Sequence, residues 1–248
     1  NRYTDKFYPS ELVTTEWQNG VNNAFNENKK DVSLTTKHTL TFIPSFNNKD
    51  HSLLAMGRME LSTWNSNGQS TSATGLPSGG IESPYAGGKN NGLSSWFSEG
   101  RSLFFTFSTH YAYKSRYMAD FTLRADGTTK FGPDNRWGYF PSVSLRWNVI
   151  DEPFMERFRG WLSMLSIRPS WAYTGSAPNK DYLYTSKYAS ASQYLDMSAL
   201  CPSNLKLTNL KWQKSNKYNL GFDLGFMSDK LNVTFEMYNE TVSDILMP

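Results

Sequence analysis

The sequence lacks several things that would each have named a class. It has one cysteine, Cys201, so no internal disulfide can form, and a lone loop thiol is a better reading than a nucleophile. It has no run of about 20 apolar residues, which excludes a transmembrane helix but not a β-barrel, whose signal is only ~10-residue alternating segments. Its charge is nearly balanced, +3 net, so no strong field points to nucleic acid. The three histidines, His38, His51 and His110, have no ligand spacing, and no metal or other cofactor is implied. No Ser/His/Asp arrangement or Walker-type loop appears, so no catalytic residue is assigned. Carboxylates such as Asp120 and Asp126 could be imagined as a glycosidase pair, but ion pairing with Arg116, Arg124 and Lys217 is the simpler reading. The opening NRYTDKFYPSE carries no signal-peptide pattern.

What the sequence does have is aromatics, 15% of residues, set into alternating segments. In Arg116–Asp126, one parity is Tyr117, Ala119, Phe121, Leu123 and Ala125. The other holds Arg116, Asp120, Arg124 and Asp126. Side chains alternate faces along a strand, so one face is apolar and the other charged. A return strand repeats this from Tyr139 to Val149. Further strands are predicted at 32–42, 53–62, 103–111, 164–174, 210–227 and 231–238. Residues 1–31 read as a long loop with a short strand near Glu11–Trp17. Residues 65–95 and 175–209 read as long polar loops. Asp151–Arg159 reads as a short helical turn capped by Asp151, with Pro153 early in it.

Short and long connections alternate along this series, which places the long loops at one end of the sheet. Arg58, Glu60, Asp120, Arg124, Arg146, Arg168, Lys217 and Asp223 all fall on the non-apolar parity. Lipid-facing Arg or Lys would cost roughly 2–4 kcal/mol each at mid-membrane, while a watery lumen costs little. The fold class is therefore all-β, an antiparallel transmembrane barrel with long extracellular loops and short periplasmic turns. A soluble all-β carbohydrate-binding or scaffold domain is the alternative. It predicts charge spread evenly over both parities.

The run LRADGTTKFGPDNRWGYFPSVSLRWNVIDEPFM (123–155) resembles SusC/RagA-type TonB-dependent outer-membrane transporters of Bacteroidetes. So do YAYKSRYMADFT before it, SIRPSWAYTGSAPN after it, and residues 209–246. The resemblance implies that residues 1–248 are an internal part of a barrel domain of roughly 22 strands, of which about eight lie here. The family's plug, TonB box, N-terminal extension and final strand are not recognisable in it. It further implies import of glycan oligosaccharides, or peptides, with a SusD-like surface lipoprotein as lid. Energy would come from TonB–ExbB–ExbD through the plug, and no nucleic acid is involved. The polar parity would then line the lumen. Aromatics of the long loops, Tyr85, Trp96, Tyr182, Tyr184, Tyr188 and Tyr194, would be candidates for substrate or lid contact, and outer-membrane lipid would meet the apolar parity.

Overall fold

The protein is described from a computed structural model, which covers residues 1–9, 22–77, 83–85, 89–194 and 197–245. Among the described residues it is an antiparallel β structure with short 3-10 turns. The strands are β1 (Arg2–Tyr8), β2 (Asn23–Phe42), β3 (His51–Thr74), β4 (Lys89–Tyr113), β5 (Tyr117–Thr128), β6 (Trp137–Asn148), β7 (Leu162–Ser176), β8 (Lys187–Tyr194), β9 (Met197–Asn204), β10 (Gln213–Phe226) and β11 (Leu231–Ser243). Nine form one sheet in the order β1-β2-β3-β4-β5-β6-β7-β10-β11, and β8-β9 is a separate hairpin. Chain contacts divide into two units, through both of which β2, β3 and β4 run.

The first unit comprises residues 1–35 and 62–101. The predicted loop over 1–31 is corrected here: β1 and the start of β2 lie in it, paired from Arg2↔Lys29 to Tyr8↔Asn23. Residues 11–17, predicted as a short strand, lie outside the described residues. The predicted loop at 65–95 is also largely strand, because β3 continues to Thr74 and β4 starts at Lys89. These stretches escaped the sequence because NSNGQSTSAT pairs through its backbone while offering no apolar parity to read. A membrane strand needs only about 9–11 residues, and β3 has 24. Trp96 covers Gly68, and Trp64 covers Gly100; a Cβ at either glycine would collide with the ring. Ser66 donates to Asp31 at 2.6 Å, and Lys29 pairs with Asp31 at 3.1 Å.

The second unit comprises residues 36–61 and 102–248. Register keeps one parity in line across six strands. Phe107 faces Leu123 and Leu123 faces Pro141. Val143 faces Trp171, Trp171 faces Tyr218, and Phe222 faces Phe235. This apolar face has no covering layer: Phe121, Leu123, Leu145, Val233, Phe235 and Met237 are 38–54% exposed. A soluble sandwich would bury these against a second sheet. Their natural solvent is lipid, and the charges of the strand centres, Asp120, Arg124, Arg146, Arg168 and Asp223, fall on the other parity.

The turns follow the local sequence. Lys114 and Ser115 take positive φ (53° and 52°) between β4 and β5, and Met227, Ser228 and Asp229 do so between β10 and β11. Between β6 and β7 a 3-10 turn spans Pro153–Phe158 with Pro at its start. Its cap is Glu152 rather than the expected Asp151, and Glu152 makes no side-chain cap bond because its carboxylate is used elsewhere. β10 begins at Gln213 rather than Leu210, since Leu210 and Trp212 are buried in a cluster beside the strand. The expected loop at 175–209 contains the β8-β9 hairpin, with register breaks at Lys187/Tyr188 and Ser190/Gln193. Those breaks erase the alternation that reading by pattern needs.

Two buried clusters close the ends of this unit. Phe131, Phe140, Leu210 and Trp212 form one, at the long-loop end. Val149, Ile150, Met155 and Leu162 form the other, at the short-turn end. The opposed faces make a sharp expectation. Phe121→Arg should destabilise the membrane-inserted protein by roughly 2–4 kcal/mol, whereas the adjacent Thr122→Arg should cost under about 1 kcal/mol. Urea unfolding from lipid vesicles measures both, and equal losses would contradict the assignment of faces.

Candidate functional site

The polar face of the second unit carries a connected set of ion pairs. Arg168 on β7 donates to Asp223 on β10 through both Nε (2.7 Å) and Nη2 (2.9 Å). The same Nη2 also reaches Glu236 on β11 at 3.1 Å, crossing a whole strand. It can do so because Gly221 lies opposite both Arg168 and Glu236. A Cβ on Gly221 would sit 3.2 Å from Arg168 Nη2, so a side chain there would crowd the guanidinium. Arg146 of β6 adds a longer pair to Asp223 (3.5 Å) and donates to Asn148 at 3.2 Å. Ser166, 1% exposed, donates to Asp223 at 3.0 Å, and Thr234 donates to it at 3.2 Å. One carboxylate thus gathers four partners from three other strands.

The remaining polar-parity residues are paired as well. Arg58 donates to Thr39 at 3.4 Å, and Glu60 pairs with Lys37 at 3.4 Å. His110 and Asp120 are 2.7 Å apart. Arg124 meets the buried Asp126 at 2.5 Å and lies 5.0 Å over the Phe104 ring. The Lys217 ammonium lies 4.7 Å over Tyr238. The eight charges selected from the sequence lie on the polar parity, where only Arg146, Arg168 and Asp223 meet one another and the other five each have a separate partner. Among the described residues no group of His, Cys, Asp and Glu could hold a metal ion.

The loop end is built on Phe140, a polar-parity residue whose ring lies over two glycines. Its ring fills the space that a Cβ on Gly138 or Gly175 would take. Trp212 packs 5.4 Å from Phe140 and 4.6 Å from Phe131. Trp212 also donates from Nε1 to the Asn135 carbonyl at 3.0 Å, holding the 3-10 turn Pro133–Asn135. Leu207 N donates to Leu183 O at 3.0 Å, and Lys130 Nζ to Pro178 O at 3.0 Å. Beside this cluster lies a cavity of about 560 Å³ lined by Asp134, Asn135, Tyr184, Thr185, Lys206 and Thr208 among others.

The six loop aromatics separate in the structure. Tyr184 lines that cavity. Tyr182 has φ +62° and carries the Lys187 ammonium 4.8 Å over its ring. Tyr188 on β8 and Tyr85 are exposed, 64% and 83%. Trp96 is not a loop residue; it lies within β4 and covers Gly68, as a strand-filling ring. Tyr194 is in β8, with its side chain outside the described residues. Sequence reasoning missed Phe131, Phe140 and Trp212 as a unit. The glycines at 138 and 175 are the one signal that could have exposed them.

It also missed Glu152. This residue is 7% exposed and lies between two 3-10 turns, outside the strands. The Tyr117 hydroxyl donates to its carboxylate, as do Trp147 Nε1 (3.1 Å) and Arg116 Nη1 (3.1 Å). The Tyr117 bond, then the Trp147 bond and the Arg116 charge, hold its pKa below the usual carboxylate value against the opposing effect of burial. A carboxylate with a lowered folded pKa contributes stability that is fully present above the unfolded value, about 4.3. That contribution is lost as pH falls from there through the folded value. Glu152→Gln should therefore flatten the acid limb of stability below about pH 4.3. Acid titration of tryptophan emission for the parent and variant proteins in detergent would reveal it; identical acid limbs would refute it.

Comparison with known proteins agrees with this architecture. The family model described as TonB dependent receptor-like, beta-barrel matches residues 1–248. A TonB-dependent receptor of Formosa agariphila is 32% identical over 136 residues, 55% of this chain and 13% of that protein. The TonB-dependent receptor SusC of Bacteroides thetaiotaomicron is 32% identical over 145 residues, 55% of this chain and 14% of that protein. This chain therefore spans a small part of the length of those relatives. Two solved structures, the RagAB peptide transporter and the RagAB peptide importer in its closed-closed state, superpose with TM-scores of 0.84 and 0.85. Both are 22% identical, cover 99% of this chain, and are matched over 27% and 28% of their own. A sheet with one unpartnered apolar face and one ion-paired face is thus a stretch of outer-membrane barrel wall, and the chain belongs to the TonB dependent receptor-like, beta-barrel family.

Proposed function

We propose that this chain is a wall segment of an outer-membrane importer of the SusC/RagA type. The importer takes up glycan oligosaccharides or peptides, works with a SusD-like lipoprotein lid, and is energised by TonB–ExbB–ExbD through a plug. The observation that carries this reading is the sidedness of the sheet. The ion pairs around Asp223 lie on one face of the sheet, while Phe121, Leu145 and Phe235 stand exposed on the other parity. On this reading Arg58, Glu60, Asp120, Arg124, Arg146, Arg168, Lys217 and Asp223 line the lumen or meet the plug. Tyr85, Tyr182, Tyr184, Tyr188 and Tyr194 are the loop aromatics offered to substrate or lid. The cavity beside Tyr184 supports that role, since it combines one ring with hydroxyl, amide and charged groups.

The test is to tag the full-length protein, purify it in detergent and identify what comes with it. A SusD-like lipoprotein in the eluate is the expected result, and the purified pair is then titrated with oligosaccharides and with short peptides. A full-length protein that is soluble without detergent and carries no lipoprotein would overturn the reading.

A further inference from the structure

The connection between β6 and β7 does not hang below the sheet as a simple turn. Its buried residues Val149, Ile150, Met155 and Leu162 pack with Leu165, Ile167 and Phe226, and those three belong to the outward apolar parity. Trp161 stacks on Phe226 with ring centroids 5.8 Å apart at 14°. Glu152 independently joins the segment to Tyr117 and Trp147, both also of the outward parity. Those rings belong to a ladder at the short-turn end: His51–Tyr113 at 5.0 Å, then Tyr113–Tyr117 and Tyr117–Trp147 at 6.4 Å each. The segment is thus clamped against the face that meets lipid, at the level where interfacial aromatics sit.

Its own outer surface is amphipathic. Phe154 and Trp161 are 59% and 54% exposed. The Arg157 guanidinium lies 4.7 Å over the Phe158 ring, beside them. The other charges nearby are largely engaged. Arg159 donates to the Ile150 carbonyl and lies 3.9 Å from Asp151. Asp229 accepts from Ser163 at 2.6 Å. Glu156 and Lys230 are exposed and offset each other in charge. Neighbouring strands do not supply a missing cover, because β5 and β10 flank β6 and β7 in the sheet.

We propose that residues 149–161 form an interfacial anchor lying on the phospholipid headgroups of the periplasmic leaflet. Phe154 and Trp161 enter the headgroup–acyl boundary, and Arg157 binds a lipid phosphate. The occupant is phospholipid rather than protein because the segment is packed on Leu165, Ile167 and Phe226 of the lipid-facing parity. Its composition, aromatic rings beside an arginine, suits that boundary.

The test uses the full-length protein in nanodiscs of phosphatidylethanolamine and phosphatidylglycerol. Phe154→Cys, in a background with other cysteines replaced by serine, carries an environment-sensitive fluorophore; Leu145→Cys and Ser144→Cys are the lipid-facing and lumen-facing controls. The label at 154 should be quenched by lipids brominated near the headgroup at least half as strongly as at 145, and poorly by aqueous iodide. In the same background, Arg157→Glu should cut the bromolipid quenching at 154 about twofold. Iodide quenching at 154 equal to that at 144, with no bromolipid effect, would overturn the anchor and leave the surface to water or a periplasmic protein. Unchanged bromolipid quenching in Arg157→Glu would overturn the phosphate contact. Heat-shifted gel mobility confirms that each variant is a folded barrel before it is read.

Discussion

Replacing Trp212 by alanine in the full-length protein is expected to free the long-loop end while leaving the barrel wall folded. Trp212 is 6% exposed and joins the Phe131 ring, the Phe140 ring and the Asn135 carbonyl. Truncating a buried Trp or Phe costs about 3–5 kcal/mol, because the vacated space collapses only partly. The loss falls on the Pro133–Asn135 turn and the Thr185–Leu210 stretch rather than on the ladder. Hydrogen exchange in detergent should show amides of those loops exchanging about 100-fold faster or more, with β6 and β7 unchanged. Trp212→Phe keeps a ring but loses the Asn135 bond, and should lie between. Loop protection within twofold of the parent would show that the cluster does not hold the loops. If the cavity beside Tyr184 takes ligand, the same variant should lose that binding, because Asp134 and Asn135 on its wall are positioned through Trp212.

Asp223→Ala is expected to be the most damaging change on the polar face. It removes the shared acceptor of Arg168, Arg146, Ser166 and Thr234 at one stroke. Hydrogen bonds to charged groups contribute about 1.5–3 kcal/mol. Breaking a fully buried pair costs about 3–5 kcal/mol, because the partner charge is left stranded. The Asp223 side chain is 15% exposed and that of Arg168 31%, so water recovers part of the loss. Arg168 also keeps Glu236. A destabilisation of about 2–3 kcal/mol in urea unfolding from vesicles is the expected outcome. The double replacement Asp223→Leu with Arg168→Met should recover much of it, since it leaves no stranded arginine at that position. Additive single losses, with a coupling under about 0.5 kcal/mol, would mean the pair is decoration on a wall held by its backbone ladder.

The two changes also separate what was readable in the chain. The pair of faces was readable at Tyr117–Ala125 because alternation there is dense and each parity meets one solvent. The same rule failed at residues 63–74. That stretch of β3 is paired through its backbone but carries polar groups on both parities, so nothing in its composition alternates. It failed again at 187–204, where register breaks put neighbouring residues out of phase. The eight charged candidates share the polar parity of their strands, which alternation makes readable. Which of them touch was not readable: Arg168 reaches Glu236, 68 residues away, only because β8 and β9 leave the sheet and let β10 lie beside β7. Trp96 was misplaced for the converse reason, since its loop-like surroundings hide a partner glycine at position 68.

The sequence alone was enough to establish a one-side-apolar antiparallel wall from its side-chain period, and the resemblance of residues 123–155 pointed to the SusC/RagA family. Side-chain period and loop length are local properties, and lipid and water select them residue by residue. Tertiary structure decided the rest: the gathering of four strands' side chains on Asp223, the Trp212 anchor for the loops, and the outward packing of the Val149–Trp161 connection. Each depends on register and strand order, which bring together residues from distant parts of the chain. No single stretch encodes such a contact, because its energy exists only once both partners are in place.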